Sequence, residues 1–147
     1  MSTVAIDEAL WRDLHAHACA AAARAYAPYS KYPVGAAALV DDGRIITGCN
    51  VENSSYGIGL CAECGLISTL INGGGGRLRA FLCVNRDGDV IVPCGRCRQL
   101  LHEHGGDELE LQIPAGHTTM GQFLPGAFRS EDLTTVWQRE ALHKEQS

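Results

Sequence analysis

The chain has 147 residues, of which 46% are hydrophobic and 20% charged, as in one ordinary globular domain. The formal net charge of −5 argues against a broad nucleic-acid footprint, which needs a basic face. Charged residues interrupt the first apolar stretch and no segment is apolar for long enough to span a bilayer, so we expect neither a leader nor a membrane anchor. Seven cysteines, an odd number, favour metal or catalytic use in a reducing compartment, and the expected location is the cytoplasm.

The first half of the chain predicts a helix followed by a β-hairpin. Apolar residues recur at helical spacing over residues 7–26. Residues 34–40 are small and apolar, as in a buried strand; 41–43 have the composition of a hairpin turn, and 44–49 would form the return strand. Residues 50–60 are polar and contain glycine, so we expect a loop there.

The second half of the chain alternates predicted helices and strands. In chain order these are a helix over 61–72 that stops at the glycines 73–76, a strand over 78–84, a short apolar run at 90–92, a helix near 95–104, a strand over 109–113 and a short helix over 119–124. Such alternation implies an α/β domain whose sheet is covered on both faces. We expect one domain over 1–147, with a mobile charged tail from about residue 134.

Two cysteine motifs carry the chemistry. Cys61 begins a Cys-Ala-Glu motif, and Cys94 and Cys97 lie in a Pro-Cys-Gly-Arg-Cys motif, each at a predicted helix start. Three thiolates leave one position of a tetrahedral zinc site to water, which is the arrangement of catalytic zinc. Glu63 lies two residues from a ligand, where it can exchange protons with that water. Motifs of this kind mark zinc deaminases, in which the glutamate is a proton shuttle and not a ligand.

A different zinc site is the main alternative. Cys61 and Cys64 form one Cys-x-x-Cys pair and Cys94 and Cys97 another, as in structural zinc modules. The 29 residues between the pairs exceed the roughly 15–20 that are typical of compact zinc ribbons. The non-enzymatic four-cysteine zinc module therefore remains open as the less favoured prediction. The six histidines are expected at the surface or at helix ends.

The motifs resemble those of the small homotetrameric cytidine deaminases. Residues 61–63 and 93–99 carry the zinc motifs of that family, and residues 29–37 are similar to its first-strand segment. Residues 50–57 resemble its ribose-binding loop, and residues 124–128, Leu-Pro-Gly-Ala-Phe, resemble its C-terminal motif. Together the similar segments lie within residues 8–133, which is most of the chain.

This resemblance implies a ligand set and catalytic groups. Cys61, Cys94 and Cys97 would hold one zinc ion per chain. Glu63 would protonate N3 of the base and take a proton from the water at the zinc. The backbone N–H of Ala62 would bind the base carbonyl.

The resemblance also implies five further substrate contacts. Asn50 and Glu52 would hydrogen-bond the ribose hydroxyl, which suits an amide and a carboxylate. Tyr32 and Phe128 would pack on the pyrimidine, with Phe128 reaching across from a neighbouring subunit. Tyr56 would also come from a neighbour, near the ribose. Taken alone, each of these three rings is typical of ordinary core or interface packing.

Two positions depart from the family pattern. The family often has phenylalanine at the position of Tyr32, whose hydroxyl needs a partner. It commonly has arginine directly after the catalytic glutamate, where the cation balances the thiolate charge, and Cys64 stands there instead. Either Arg96 or Arg98 could replace that cation, or each could be a solvated surface residue.

The implied activity is hydrolytic deamination of cytidine and deoxycytidine to uridine and deoxyuridine, with release of ammonia, in pyrimidine salvage. The implied fold is a three-layer α/β/α sandwich with a mixed five-stranded sheet, and the implied assembly is a homotetramer with shared active sites. Deamination of a related aminonucleoside such as blasticidin S is the close alternative. Deamination of polynucleotides would need a basic channel, which an acidic chain does not favour.

Overall fold

A computed structural model describes residues 4–134 of the chain. Its helices are α1 (Glu8–Ala22), α2 (Ala62–Asn72), α3 (Gly95–Gly105) and α4 (Met120–Phe123), with one 3₁₀ turn at Tyr56–Ile58. Its strands are β1 (Val34–Val40), β2 (Ile45–Cys49), β3 (Leu78–Asn85), β4 (Val90–Ile91), β5 (Glu110–Ile113) and β6 (Gly116–Thr119). The predicted tail from about residue 134 lies outside the described residues. Among the described helices, none is both long and apolar enough to cross a bilayer.

The strands form one mixed sheet. Its order is β2-β1-β3-β5-β6, and the short β4 pairs with β3 beside this path. The β3–β5 pair is parallel, whereas the other pairs are antiparallel. The α/β fold class is confirmed, but the predicted five strands were one too few. The additional strand is β6, which lacks an alternating apolar pattern and pairs with the edge of β5, with Thr118 opposite Leu111.

Helices cover both faces of the sheet, as the predicted three layers require. On one face Leu14 and Ala18 of α1 are fully buried in a cluster that also contains Leu39 and Leu82 of the sheet. On the other face α2 and α3 contribute to a second cluster around Phe81. Residues at alternate positions of β1 and β3 enter opposite clusters, because successive strand side chains point to opposite faces.

Helix α1 ends at Ala22, four residues before the predicted end. The Tyr26 amide donates to the Asn50 carbonyl oxygen at 3.0 Å, and the Glu52 amide donates to the Tyr26 carbonyl oxygen at 2.8 Å. Pairing with another segment therefore replaces the last helical turn. This pairing places residues 26–32 beside the loop that follows β2.

Candidate active site

The three predicted zinc ligands lie together at the starts of two helices. Cys61 precedes α2 as its N-cap, Cys94 precedes α3 as its N-cap, and Cys97 lies in the first turn of α3. Their Sγ atoms lie within 4.8 Å of one another. Neither N-cap cysteine uses its side chain to cap its helix, so both sulfur atoms are free to bind a metal. Three thiol donors with room for a fourth ligand fit a catalytic zinc site.

The two helix starts also provide a favourable electrostatic environment for thiolates. The free N–H groups and the positive dipole end of a helix stabilise negative charge at its N-terminus. Burial raises the pKa of the Cys61 and Cys97 thiols. Partial burial acts in the same direction on Cys94, but hydrogen bonds from Cys97 and Cys61 together outweigh it and lower the Cys94 pKa.

Glu63 is a buried carboxylate next to the cysteine cluster. It is the second residue of α2 and is only 4% exposed, yet it lines the main cavity together with Ala62. The buried Cys83 thiol of β3 lies behind it: burial, and then the negative charge of Glu63, raises the pKa of Cys83. A carboxylate held in this way can move a proton between the metal cluster and a molecule in the cavity.

Cys64 lies beside the predicted ligand set and does not belong to it. Within the described residues the metal-competent cluster contains Cys61, Cys94 and Cys97, and Cys64 is not part of it. Its Sγ atom instead accepts a hydrogen bond from Nη2 of Arg96 at 2.8 Å. This geometry does not favour the four-cysteine zinc module.

The two candidate arginines have different partners. Arg96 places a guanidinium on Cys64, next to the cluster. Arg98 donates through Nε to the Pro93 carbonyl oxygen at 3.0 Å, and its guanidinium carbon lies 3.9 Å from the centre of the Phe123 ring. Cys64 stands at the position where the resemblance predicts an arginine. Of the two candidates, Arg96 is the one whose guanidinium contacts that position.

A cavity of about 600 Å³ opens in front of Glu63, a volume that suits a small molecule. Most of the predicted substrate contacts lie in its wall: Tyr32, Asn50, Glu52, Tyr56 and Ala62. The cysteines Cys61 and Cys94 lie in the same wall. The cavity also has an apolar wall, formed by Ile91 and Val92. The sequence did not predict these two residues as part of the site, although the apolar run before Pro93 contains them.

The side chains of Asn50 and Glu52 also bind the backbone of residues 29–34, which the sequence did not predict. Oδ1 of Asn50 accepts from the Val34 amide at 2.8 Å, and its Nδ2 donates to the Tyr32 carbonyl oxygen at 3.0 Å. Oε1 of Glu52 accepts from the amides of Tyr29 at 2.9 Å and Ser30 at 3.1 Å. Oε2 of Glu52 also accepts from the Ser30 amide, at 3.3 Å. One Asn50 N–H and a lone pair on this Glu52 oxygen retain capacity for a ligand.

The loop that carries Tyr32 has a constrained conformation. Lys31 has a φ of 59°, in the left-handed region that a side chain other than glycine rarely adopts. The amides of Tyr29 and Ser30, which precede Lys31, donate to the Glu52 carboxylate and hold this conformation. Hydrogen bonds from Ser30 lower the pKa of the Glu52 carboxyl. Backbone strain of this kind is more frequent at functional sites than elsewhere in proteins.

Tyr56 and Phe128 are exposed and do not pack in the core of their own chain. Tyr56 is 81% exposed, and its ring centre lies 5.9 Å from that of Tyr29 at the rim of the cavity. Phe128 is 56% exposed and does not line this cavity. Ordinary core packing therefore explains neither ring.

Sequence reasoning also missed a polar network at the other end of α3. His102 is 7% exposed, in contrast to the expected surface or capping position. Its Nε2 lies 2.9 Å from Oδ1 of Asp107, and the other Asp107 oxygen accepts from Nη2 of Arg129 at 2.6 Å. No local motif marks such a network, because Arg129 reaches Asp107 from 22 residues further along the chain.

The layered sheet and the three cysteines at two helix starts define an α/β protein built around a zinc site. Residues 10–111 match the sequence profile of the cytidine and deoxycytidylate deaminase zinc-binding region. Since this match covers most of the chain, the protein belongs to the cytidine and deoxycytidylate deaminase family, and zinc is the metal of the Cys61, Cys94 and Cys97 cluster.

Individual relatives agree with this assignment. The cytidine deaminase of Mycobacterium tuberculosis is 57% identical over 123 residues, which cover 84% of this chain and 92% of the relative. A crystal structure of cytidine deaminase from Mycobacterium leprae is 60% identical, with a TM-score of 0.77 over 78% of this chain and 97% of that one. The cytidine deaminase of Sporosarcina psychrophila is 39% identical, over 76% of this chain and 85% of the relative.

Proposed function

We propose that the protein is a zinc-dependent enzyme that deaminates cytidine and deoxycytidine to uridine and deoxyuridine, with release of ammonia, in pyrimidine salvage. The observation that carries this proposal is the buried Glu63 carboxylate, which shares the wall of one cavity with two members of the three-cysteine cluster. The volume of this cavity suits a nucleoside. The high identity to named cytidine deaminases supports the same substrates.

Each catalytic group has a defined task in this proposal. Cys61, Cys94 and Cys97 would hold one zinc ion, whose chemistry is to lower the pKa of water and supply a nucleophile near neutral pH. Glu63 accepts the proton that this nucleophile loses and delivers it to N3 of the base, which prepares C4 for attack. After the attack, the same carboxylate can take the proton of the hydroxyl group on C4 and pass it to the amine, which leaves as ammonia.

The cavity wall would orient the nucleoside. Ala62 is the first residue of α2, so its N–H has no partner inside the helix and can bind the carbonyl oxygen of the base. The second Nδ2–H of Asn50 and the remaining lone pair on Oε2 of Glu52 would bind a ribose hydroxyl. Tyr32, at the mouth of the cavity, would pack against the pyrimidine ring.

We also propose a homotetramer in which neighbouring chains complete each site. Large apolar side chains remain exposed on and beside the cavity wall, including Val51, Ile58 and Leu60. Several large apolar side chains exposed near one cavity favour a protein contact there. Phe128 and Tyr56 would cross such a contact to reach the base and the ribose of a neighbouring site.

The cytoplasm is the proposed location. All seven cysteines lie within the described residues and are free of disulfides. Three of them form the metal cluster, which requires reduced thiols. A reducing compartment maintains both conditions.

Turnover of cytidine tests the proposal directly. The protein, loaded with one zinc equivalent per chain, should convert cytidine to uridine, followed by the change in ultraviolet absorbance. Glu63→Gln should bind zinc normally but lose at least about 10²-fold in kcat, which is the usual contribution of a positioned acid–base group. A zinc-loaded wild type that leaves cytidine and deoxycytidine unchanged would refute the proposal. Turnover of blasticidin S alone would show that the substrate is an aminonucleoside of that kind.

A further inference from the structure

The C-terminal arm, defined as residues 124–132, is fastened to α3 through its backbone beside Phe128. Nε2 of Gln99 donates to the Phe128 carbonyl oxygen at 2.9 Å. The preceding Ala127 is buried, whereas the Phe128 ring is 56% exposed. The main chain at this point is therefore fixed on the protein while the ring projects away from it.

A second attachment lies one residue further along the arm. Nη2 of Arg129 donates to Oδ2 of Asp107 at 2.6 Å. Asp107 is itself held from the other side, because its Oδ1 lies 2.9 Å from Nε2 of the buried His102. The Asp107 main-chain oxygen also accepts from the Gly121 amide at 2.9 Å. Asp107 is thus a fixed acceptor for the arm.

Both attachments fix the arm relative to α3, the helix at whose start the metal ligands Cys94 and Cys97 lie. Gln99 and His102 follow Cys97 within two turns of α3. At a rise of about 1.5 Å per residue, all three lie within roughly 8 Å along one rigid helix. The main chain of Phe128, from which the ring projects, is therefore placed relative to the metal cluster of its own chain.

We propose that Gln99, Asp107 and Arg129 are positioning residues that hold Phe128 in the orientation in which it closes the cavity of a neighbouring chain. This inference rests on the proposed function, since Phe128 has no role in its own cavity. A fixed arm lowers the entropy lost when the ring docks, so the attachments should favour substrate binding and leave the chemical step unchanged.

A general effect of these residues on folding can be distinguished from an effect on the position of Phe128. The side chains of Asp107 and Arg129 are 44% and 47% exposed, and exposed ion pairs contribute little to stability. Loss of Arg129 should therefore leave the melting temperature and the zinc content unchanged. Asp42, with 49% of its side chain exposed, forms another ion pair at 2.6 Å with the half-buried Arg44, which is a control far from the arm in sequence.

The first experiment compares steady-state kinetics of the zinc-loaded protein and its variants with cytidine. Arg129→Ala and Gln99→Ala should each raise KM about 5- to 10-fold, with kcat within about two-fold of wild type. Arg129→Lys keeps the charge and should restore most of the loss. Asp42→Asn should leave both constants unchanged.

The second experiment tests whether the attachments act through Phe128. In a Phe128→Ala background, Arg129→Ala should have no further effect on KM, because the ring that it positions is absent. An equal rise of KM in both backgrounds would overturn the inference, and so would an unchanged KM in the single variants or a parallel loss of zinc.

Failure of the proposed function can be distinguished from failure of this inference. If the wild type does not turn over cytidine, hydrogen exchange of residues 124–132 in the zinc-loaded protein still decides whether the attachments exist. Faster exchange in Arg129→Ala, and not in Asp42→Asn, would support a fastened arm. Equal exchange rates of residues 124–132 in both variants would show that Arg129 does not fasten the arm.

Discussion

Gly48→Ala should displace the start of α2, although the substitution adds one methyl group outside the cavity. Gly48 lies in β2 where α2 crosses the sheet. A Cβ atom at this position would overlap the Ala62 carbonyl oxygen and the Leu66 amide nitrogen, both of which belong to the helix backbone. Backbone atoms cannot rotate away as a side chain does, so the helix and the strand must separate.

The required movement is large on the scale of a catalytic site. Ordinary contact begins at 3.4 Å, and the Cβ–oxygen approach is about 1 Å shorter than this. Overpacking of this kind costs about 1–3 kcal/mol, equivalent to roughly 2–12 °C in melting temperature for a domain of this size. Because Cys61, Ala62 and Glu63 lie on the turn that moves, a displacement of about 1 Å should also reduce kcat/KM on the order of 10²-fold.

Gly65→Ala is the matched control. This glycine faces β2 from the helix side, but its added Cβ would lie 3.6–3.8 Å from the nearest atoms, which is ordinary contact. Replacement of a helix-interior glycine by alanine stabilises by about 0.5–1 kcal/mol. Calorimetric melting, bound zinc and cytidine turnover should therefore separate the variants. A Gly48→Ala protein with wild-type melting and turnover within about two-fold would show that the crossing is not constrained as described.

Three further outcomes test other parts of the structure. Cys64→Ser should retain one zinc per chain and turn over cytidine within a few-fold of wild type, whereas loss of the metal would favour a four-cysteine site. Asp7→Ala removes the side chain that accepts from the Leu10 amide at 2.9 Å at the start of α1, so urea unfolding should show a loss of about 1 kcal/mol with unchanged kinetics, and an unchanged midpoint would contradict the cap. The Glu52 pKa is lowered below the ordinary 4.5, chiefly by Ser30, so the carboxylate contact is fully present above pH 4.5 and is lost as the pH falls through the lowered pKa. An NMR titration of the Ser30 amide should therefore have its midpoint below 4.5, and a midpoint at or above that value would contradict the contact.

The sequence predicts the elements that have strong local signals. The two predicted helix starts follow a polar loop and a proline. The structure confirms both starts, with Cys61 and Cys94 as the N-cap residues. Strand β1 has the predicted bounds, because its small apolar residues are buried between two helical layers. The metal cluster could be predicted because both of its motifs lie at such helix starts.

The features that the sequence did not predict depend on partners distant in the chain. Strand β6 forms by pairing with β5, although His117 and Thr118 give no apolar alternation. The early end of α1 depends on the pairing of Tyr26 with residues near Val51. Arg96 reaches Cys64 from another helix, a contact that spacing within either motif does not reveal.

The division of the ligand set between α2 and α3 has a consequence for how the protein holds together. Cys61 and Cys94 are 33 residues apart, with all of β3 and β4 between them. An ion bound to both closes this stretch into a loop, so that zinc acts as a removable cross-link and its binding energy becomes folding energy. We expect chelation to open a path for unfolding at the junction of α2 and α3, where the two N-termini separate first.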